Sequence, residues 1–468
     1  MKQLYFVFLI VIFSCQPDGF SEEDYIDANY EFGEENLVSD LSVEAFSSNL
    51  AFGKSIPGLT SFQSALFGVG NSLFNTSWVS SPATTTAIDG LGPVFNARAC
   101  ASCHLHDGRG EPLLINGEST RGLLLRLSNG NDLITGPIGI PVYGDQLQDA
   151  ANFGIEAEAT INVDFEIIIG EYPDGTAYEL RKPTYTIINE NYGSLSGTKQ
   201  SPRIGQQVIG LGFIDALSES SILENEDEFD VNNDGISGKA NYVWNVVENK
   251  TTIGKFGWKA NQPTLAQQIS GAFNGDMGLT TDIFPEENCP DGLDCSQFFN
   301  GINEDESVEV PESIFSRMLT YMSAISVPIR RDYDTFDVLK GKKIFNDLAC
   351  VSCHVNDFTT SEYELLPQIS NIKIRPYSDF LLHDMGDKLA DNRADFLANG
   401  NEWRTQPLWG LGLIDFVNDH TFLLHDGRAR NVEEAILWHG GEAEKSKNDF
   451  MNLSNEKREQ LIRFLNSL

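Results

Sequence analysis

The chain has 468 residues, 41% of them hydrophobic, and its 68 Asp and Glu against 32 Lys and Arg give a formal net charge of −36. That length is enough for about two to three domains with buried cores. The charge argues against binding nucleic acid or anionic lipid; it suits a basic redox partner, and equally plain solubility or a saline habitat.

Residues 1–15 read as a lipoprotein signal peptide: Lys2, an apolar run from Leu4 to Phe13, then Ser14 and Cys15. The run is too short to span a bilayer stably. Ile12-Phe13-Ser14-Cys15 resembles a bacterial lipobox, whose thiol is lipidated and becomes the mature N-terminus; ordinary secretion with nearby cleavage is the alternative. The expected address is the bacterial cell envelope, with a lipid anchor at Cys15, no transmembrane helix, and the body facing the periplasm or cell surface. Residues 16–50 are acidic and read as a flexible tether.

The first chemical motif is Cys100-Ala-Ser-Cys103-His104, and its pattern recurs as Cys350-Val-Ser-Cys353-His354. In C-x-x-C-H both thiols add to haem vinyl groups and the adjacent histidine takes the iron. One such pentapeptide also suits zinc or a redox dithiol, but two in one chain point to two covalently bound haem c groups. Cys100, Cys103, Cys350 and Cys353 are then the attachment points, with His104 and His354 on the irons.

Between the motifs, Ile161, Val163, Phe165 and Ile167 alternate with polar residues, and Tyr172-Pro-Asp-Gly175 supplies a turn. This predicts a β insertion in the first domain. Asp230, Asn232 and Asp234, followed by Gly235, form either a calcium loop or a solvated polar turn; Asn241 stands where an EF-hand has its late glutamate. Cys289 and Cys295 either close a disulfide, which needs an oxidising compartment, or stay free thiols. Residues 312–326 predict a helix opened by Pro311 and stopped by Pro328. The expected fold is mainly α: an N-terminal c-type haem domain over residues 51–330, with the β insertion, and a C-terminal cytochrome c domain over residues 331–468.

The chain has seven histidines. His106 is too close to His104 to reach the far side of the same haem, and residues 107–353 contain none. The first iron is therefore open, water-bound, or held by another side chain such as Met277. An open position binds peroxide, whereas a filled one mainly passes electrons. In the second unit, Val432, Ala435, Ile436 and His439 share one helix face behind an Asn431 cap. His439 is thus a hydrogen-bonded core histidine or the second axial ligand of the nearby haem, with His383 and Met385 as other candidates. His425 suits a hydrogen bond to a propionate or the backbone, and His420 an exposed loop. Trp258 and Trp438 are core residues or electron relays.

Leu424-His425-Asp426-Gly427, followed by Val432-Glu433-Glu434-Ala435, is similar to the closing motif of bacterial di-haem cytochrome c peroxidases and the related di-haem enzymes of methylamine utilisation. Where that family places the distal ligand of its C-terminal haem, methionine or tyrosine, this chain has His439. The resemblance implies that His354 and His439 hold the second iron together, which favours a lower potential than a His/Met pair. The chain looks closer still to a branch of bacterial di-haem oxidoreductases described as peroxidases or thiol oxidoreductases. That likeness is carried by Leu91 to Cys100, His106-Asp-Gly-Arg-Gly110, Tyr377 to Gly386 and Ile436-Leu-Trp-His439-Gly-Gly-Glu-Ala443. That likeness implies a scaffold more than a substrate; with no second histidine for the first iron, the expectation is that electrons pass from the C-terminal haem to an open N-terminal haem that reduces hydrogen peroxide, aided by a distal carboxylate that the sequence does not locate. The alternatives are a non-catalytic electron-transfer or binding cytochrome, and an oxidase of protein side chains or thiols.

Overall fold

Two crossed helix pairs, one beside each C-x-x-C-H motif, organise the structure. The computed structural model describes residues 22–44, 48–112, 122–289, 301–302 and 306–468. In the first pair, helix Ser61–Asn75 opens on a reciprocal capping box between Thr60 and Gln63 and packs against helix Glu312–Ala324. The second helix follows the apolar spacing of Phe315, Met318 and Met322, all buried, and Pro311 is its N-cap. Where the pair crosses, Gly70 lies against the Arg317 carbonyl and the Tyr321 Cβ, and any side chain there would collide. In the second pair, helix Phe336–Asp347 packs on helix Asn455–Ser467, and Gly341 meets the Gln460 carbonyl in the same way. Leu339, Phe345, Leu461 and Phe464 fill that contact. Burying each such side chain stabilises by roughly 1.5–3 kcal/mol.

The fold is not mainly α, and a pair of helical cytochrome c-like domains does not describe it. About 29% of the described residues are helical and 20% extended, the latter in many small sheets. The long segment between the helix pairs lacks a sustained 3.6-residue apolar repeat. Its apolar residues alternate with polar ones and are broken by glycine and proline, so it condenses into two-stranded antiparallel ladders. Leu123–Ser128 pairs with Lys199–Ile204 and buries Leu123, Leu125 and Leu127 on one face. The longest ladder joins Thr160–Glu171 to Ala177–Ile188, in register from Thr160↔Ile188 to Glu171↔Ala177. Ile161 and Val163 bury its base, while Ile167 and Ile169 further out are exposed.

Residues 22–44, placed in a flexible tether by their acidity, are packed against the body. Leu37 and Val38 are fully buried, the backbone N–H of Arg375 donates to the Leu37 carbonyl, and Glu34 pairs with Arg330 and Lys342. Two adjacent apolar residues and one buried carboxylate anchor a segment whose composition suggested solvent. One hydrophobic cluster runs from Leu37 to Leu468, across the expected boundary at Arg331. Cys15 and the rest of residues 1–15 lie outside the described residues. Among the described residues, no helix is long and apolar enough to cross a membrane.

Candidate metal centres

Both C-x-x-C-H motifs fold into a single tight turn. Cys100–Cys103 is one turn of α-helix and Cys350–Ser352 one of 3-10 helix. In each, the histidine N–H donates to the carbonyl of the first cysteine, so two thiols and one imidazole project from a few residues. The four thiols are free. Desolvation pushes Cys100 and Cys350 up to about 12 and raises Cys103 and Cys353 as well, with the Asp276 charge adding to the effect at Cys100 and Cys103.

His104 Nδ1 donates to the Gln206 carbonyl at 2.6 Å, and His354 Nδ1 to the Tyr377 carbonyl at 2.9 Å. Each hydrogen bond fixes the proton on Nδ1 and leaves the Nε2 lone pair free, as a metal-ligating imidazole requires. Desolvation lowers both rings, His354 to about 4, so both are neutral at physiological pH. His439 repeats the pattern. It is the C-cap of helix Val432–Trp438, whose N-cap is Asn431, and its Nδ1 donates to the Ala435 carbonyl at 2.7 Å. His354 and His439 line one cavity of about 230 Å³ with Cys350 and Cys353. His439 is close enough to His354 that its protonation would lower His354 further.

The same cavity contains polar atoms without partners. Arg109 and Arg404 are 6% and 5% exposed, and Arg109 Nε and Arg404 Nη1 have no hydrogen bond. Neither guanidinium forms an ion pair among the described residues, and desolvation lowers them to about 10 and about 9. His425 donates Nδ1 to the Pro202 carbonyl at 2.9 Å and stacks on Trp403 at 4.0 Å; its Nε2 has no hydrogen bond and lies 3.9 Å from the Asp426 carboxylate. Buried cations without counter-charge are costly. These residues fit a haem: its carboxylates would meet Arg109, Arg404 and His425, and the cavity also offers His354, His439 and the two thiols of the second motif.

The other histidines are committed elsewhere. Both nitrogens of His383 have carboxylate partners: Nε2 lies 2.8 Å from Asp379 and Nδ1 2.6 Å from Glu442. Desolvation is the largest single effect and lowers its pKa, but the Asp379 and Cys353 charges and hydrogen bonds together outweigh it and raise the ring well above the usual imidazole value. Cys353, Asp379 and His383 form the only cluster of three candidate metal ligands among the described residues, and these contacts occupy both nitrogens of its imidazole. His106 Nδ1 donates to the Val417 carbonyl at 3.1 Å. His420, expected on an exposed loop, is half-buried and stacked on Phe422. Met385 lines the second cavity, and Met277 is buried in the main core.

The two centres adjoin. Arg109, five residues after His104, lines the second cavity and also lies over the Trp258 ring at 5.6 Å; Trp258 donates Nε1 to the Ile204 carbonyl at 2.9 Å. Beside the first motif is a polar layer that the sequence did not reveal. Asp276 and Asp149 are both raised by desolvation, and both charges reach Cys103. Gln146 Nε2 donates to Asp276 at 2.8 Å, and Asn96 Nδ2 to Asp149 at 3.0 Å. Next to Asp149, the N–H of Gln148 donates to Glu158 Oε2 at 2.7 Å, and desolvation raises Glu158 to about 8. Its signal is folding itself, since nothing local marks a glutamate that will be 1% exposed.

Asp230, Asn232 and Asp234 lie in an exposed loop, where their oxygens accept from the backbone N–H groups of Gly235, Asp234 and Ile236. Cys289 is disulfide-bonded; Cys295 lies outside the described residues.

No curated protein and no solved structure matches the chain. A family model described as di-haem oxidoreductase, putative peroxidase, matches residues 40–468 and so takes in both motifs and His439. With two C-x-x-C-H turns, three imidazoles held as Nε2 donors and a cavity of unpaired cations, this match places the chain in the di-haem oxidoreductase family.

Proposed function

We propose that the chain is a c-type di-haem oxidoreductase of the bacterial cell envelope, peroxidase-like, in which electrons pass from the His354–His439 centre to the His104 centre. Covalent attachment is at Cys100, Cys103, Cys350 and Cys353. Once bound, the haems would supply electron storage and, at the His104 centre, reduction of hydrogen peroxide to two waters with two electrons and two protons.

The observation that carries this reading is the inequality of the two centres. All seven histidines lie in the described residues. His439 and His354 line the same cavity, whereas the neighbouring charge that bears on His104 is Arg109. On this reading one centre would be held by two imidazoles and the other by one. Arg109, Arg404 and His425 would hold the carboxylates of the bound group, in a cavity whose lining is mainly apolar. Glu158 keeps its proton at neutral pH, as a group that gives and regains protons during peroxide cleavage must.

The tryptophans favour an external donor over a distant protein side chain as the source of the electrons that reduce peroxide. Long-range oxidation needs relays that lose an electron readily. A cation lies over each of Trp258, Trp403 and Trp438: Arg109 at 5.6 Å, Lys259 at 4.5 Å and Arg428 at 4.9 Å. Adjacent positive charge disfavours an oxidised ring. The acidic surface suits a basic electron donor, the lipid anchor is at Cys15, and the Asp230–Asp234 loop is an open position for calcium.

The test is cyanide binding together with peroxide turnover by the haem-loaded protein and a reduced donor. One cyanide per chain, with turnover blocked on binding, agrees with the proposal. No cyanide binding and no turnover leaves only an electron-transfer cytochrome.

A further inference from the structure

The hairpin Thr160–Glu171/Ala177–Ile188 belongs to the half of the chain with the first motif, yet its outer part grips the segment that ends at His439. Tyr185 Oη donates to the Asp426 carbonyl at 3.4 Å. Arg181 donates Nη2 to the Gly427 carbonyl at 2.9 Å and Nε to the Arg428 carbonyl at 3.1 Å. The Glu179 carbonyl accepts from Arg430 Nη2 at 3.1 Å, and at the tip Tyr172 Oη donates to Glu433 Oε1 at 2.7 Å. Each step towards the tip meets a residue further along 426–433, so the two segments are matched over their length.

The tip is the most firmly held part. Tyr172 is 2% exposed, the Arg458 guanidinium lies 3.9 Å over its ring, and Arg458 pairs with Asp174 at 2.7 Å. Phe450 meets the same ring edge-on at 6.4 Å. A two-stranded hairpin is marginal alone, and these contacts give the phenol one position. On the other side of the bond, Glu433 stands in the first turn of Val432–Trp438. A seven-residue helix has little stability of its own, so the groups at its start set where its end lies. Its end is His439.

We infer that the hairpin is a positioning element for the sixth ligand of the second centre: Tyr172, held by Arg458, fixes Glu433 and, through one short helix, the imidazole of His439. The inference rests on the assignment of His439 as a ligand. It also gives the first half of the chain a mechanical hold on the ligand field of the second.

Tyr172→Phe and Glu433→Ala, in the haem-loaded full chain, remove this hydrogen bond from either side. The measurements are carbon monoxide affinity at the second ferrous centre and the low-spin ferric signal in electron paramagnetic resonance. Each variant is expected to raise the affinity about tenfold, the weight of a hydrogen bond to a charged group, and to shift the low-spin signal. The double variant should go no further than either single one. Ile169→Ser, at an exposed site on the same hairpin, should change neither reading. Affinity and signal as in the parent protein, or effects that add in the double variant, overturn the inference. A parent protein without a two-imidazole low-spin signal removes the His439 assignment and the inference with it; a normal parent signal with silent variants removes the hairpin's role alone.

Discussion

Glu158→Gln should make the protein more stable and less active, with the stability gain growing as pH rises. Glu158 is 1% exposed, and desolvation lifts its carboxyl from 4.5 to about 8 despite the 2.7 Å hydrogen bond from the N–H of Gln148. Between those values the unfolded chain has released a proton that the folded protein keeps. Each pH unit in that window therefore costs the folded state about 1.4 kcal/mol. This contribution is fully present below the unfolded pKa of 4.5 and is lost as pH rises through about 8. From about pH 5 to about pH 8 the loss is about 4 kcal/mol. Glutamine keeps an acceptor for Gln148 and has no charge to desolvate. Denaturant unfolding of the haem-loaded proteins should give nearly coincident curves at about pH 5, with the variant several kcal/mol more stable at about pH 8. Peroxide turnover should fall by about 10²–10⁴-fold, the range for loss of a general acid–base group. A variant less stable than its parent at the higher pH would refute the burial argument, and unchanged turnover would refute the proton-handling role.

His383→Gln should cost about 3–5 kcal/mol in unfolding free energy, because it leaves Asp379 and Glu442 without the cation between them. In the parent protein that stabilisation is present below the ordinary imidazole pKa and lost only as pH rises through the raised folded value; a pH-independent difference between the two would contradict it. Gly341→Ala should lower stability by about 1–3 kcal/mol in thermal unfolding, since its Cβ would meet the Gln460 carbonyl across the helix crossing. Arg404→Met should lower the midpoint potential of the second centre in a spectroelectrochemical titration, because removing a buried cation stabilises the oxidised, more positive state. An unchanged potential would place Arg404 away from the redox group.

What could be read from the sequence was what depends on neighbouring residues. C-x-x-C-H is legible because covalent attachment needs two thiols and a ligand within one turn. The helices Glu312–Ala324, Phe336–Asp347 and Asn455–Ser467 and the turn after Glu171 are legible because apolar period and proline or glycine mark them locally. The mainly α expectation failed because the pattern around two motifs was extended over a segment that pairs its strands by ladders. Leu37 and Val38 show the same limit, since acidity around them hid an anchor whose partners come from residues 328–375. The carboxylates that occupy both nitrogens of His383 come from positions 379 and 442, and Arg109 follows one motif but lines the cavity of the other. Such pairings arise only once the chain has folded. His439 became legible through its helix face and family likeness; in the structure its Nδ1 donates to the Ala435 carbonyl and its side chain lines the cavity of His354.

The central claim is that one centre is capped by imidazole on both sides and the other on one side only. Electron paramagnetic resonance of the fully oxidised, haem-loaded protein tests it most directly. The account predicts one low-spin ferric signal from paired imidazoles and one high-spin signal of equal integrated intensity, the latter converted to low spin by cyanide. Two low-spin signals, both unmoved by cyanide and by reduction, would contradict it.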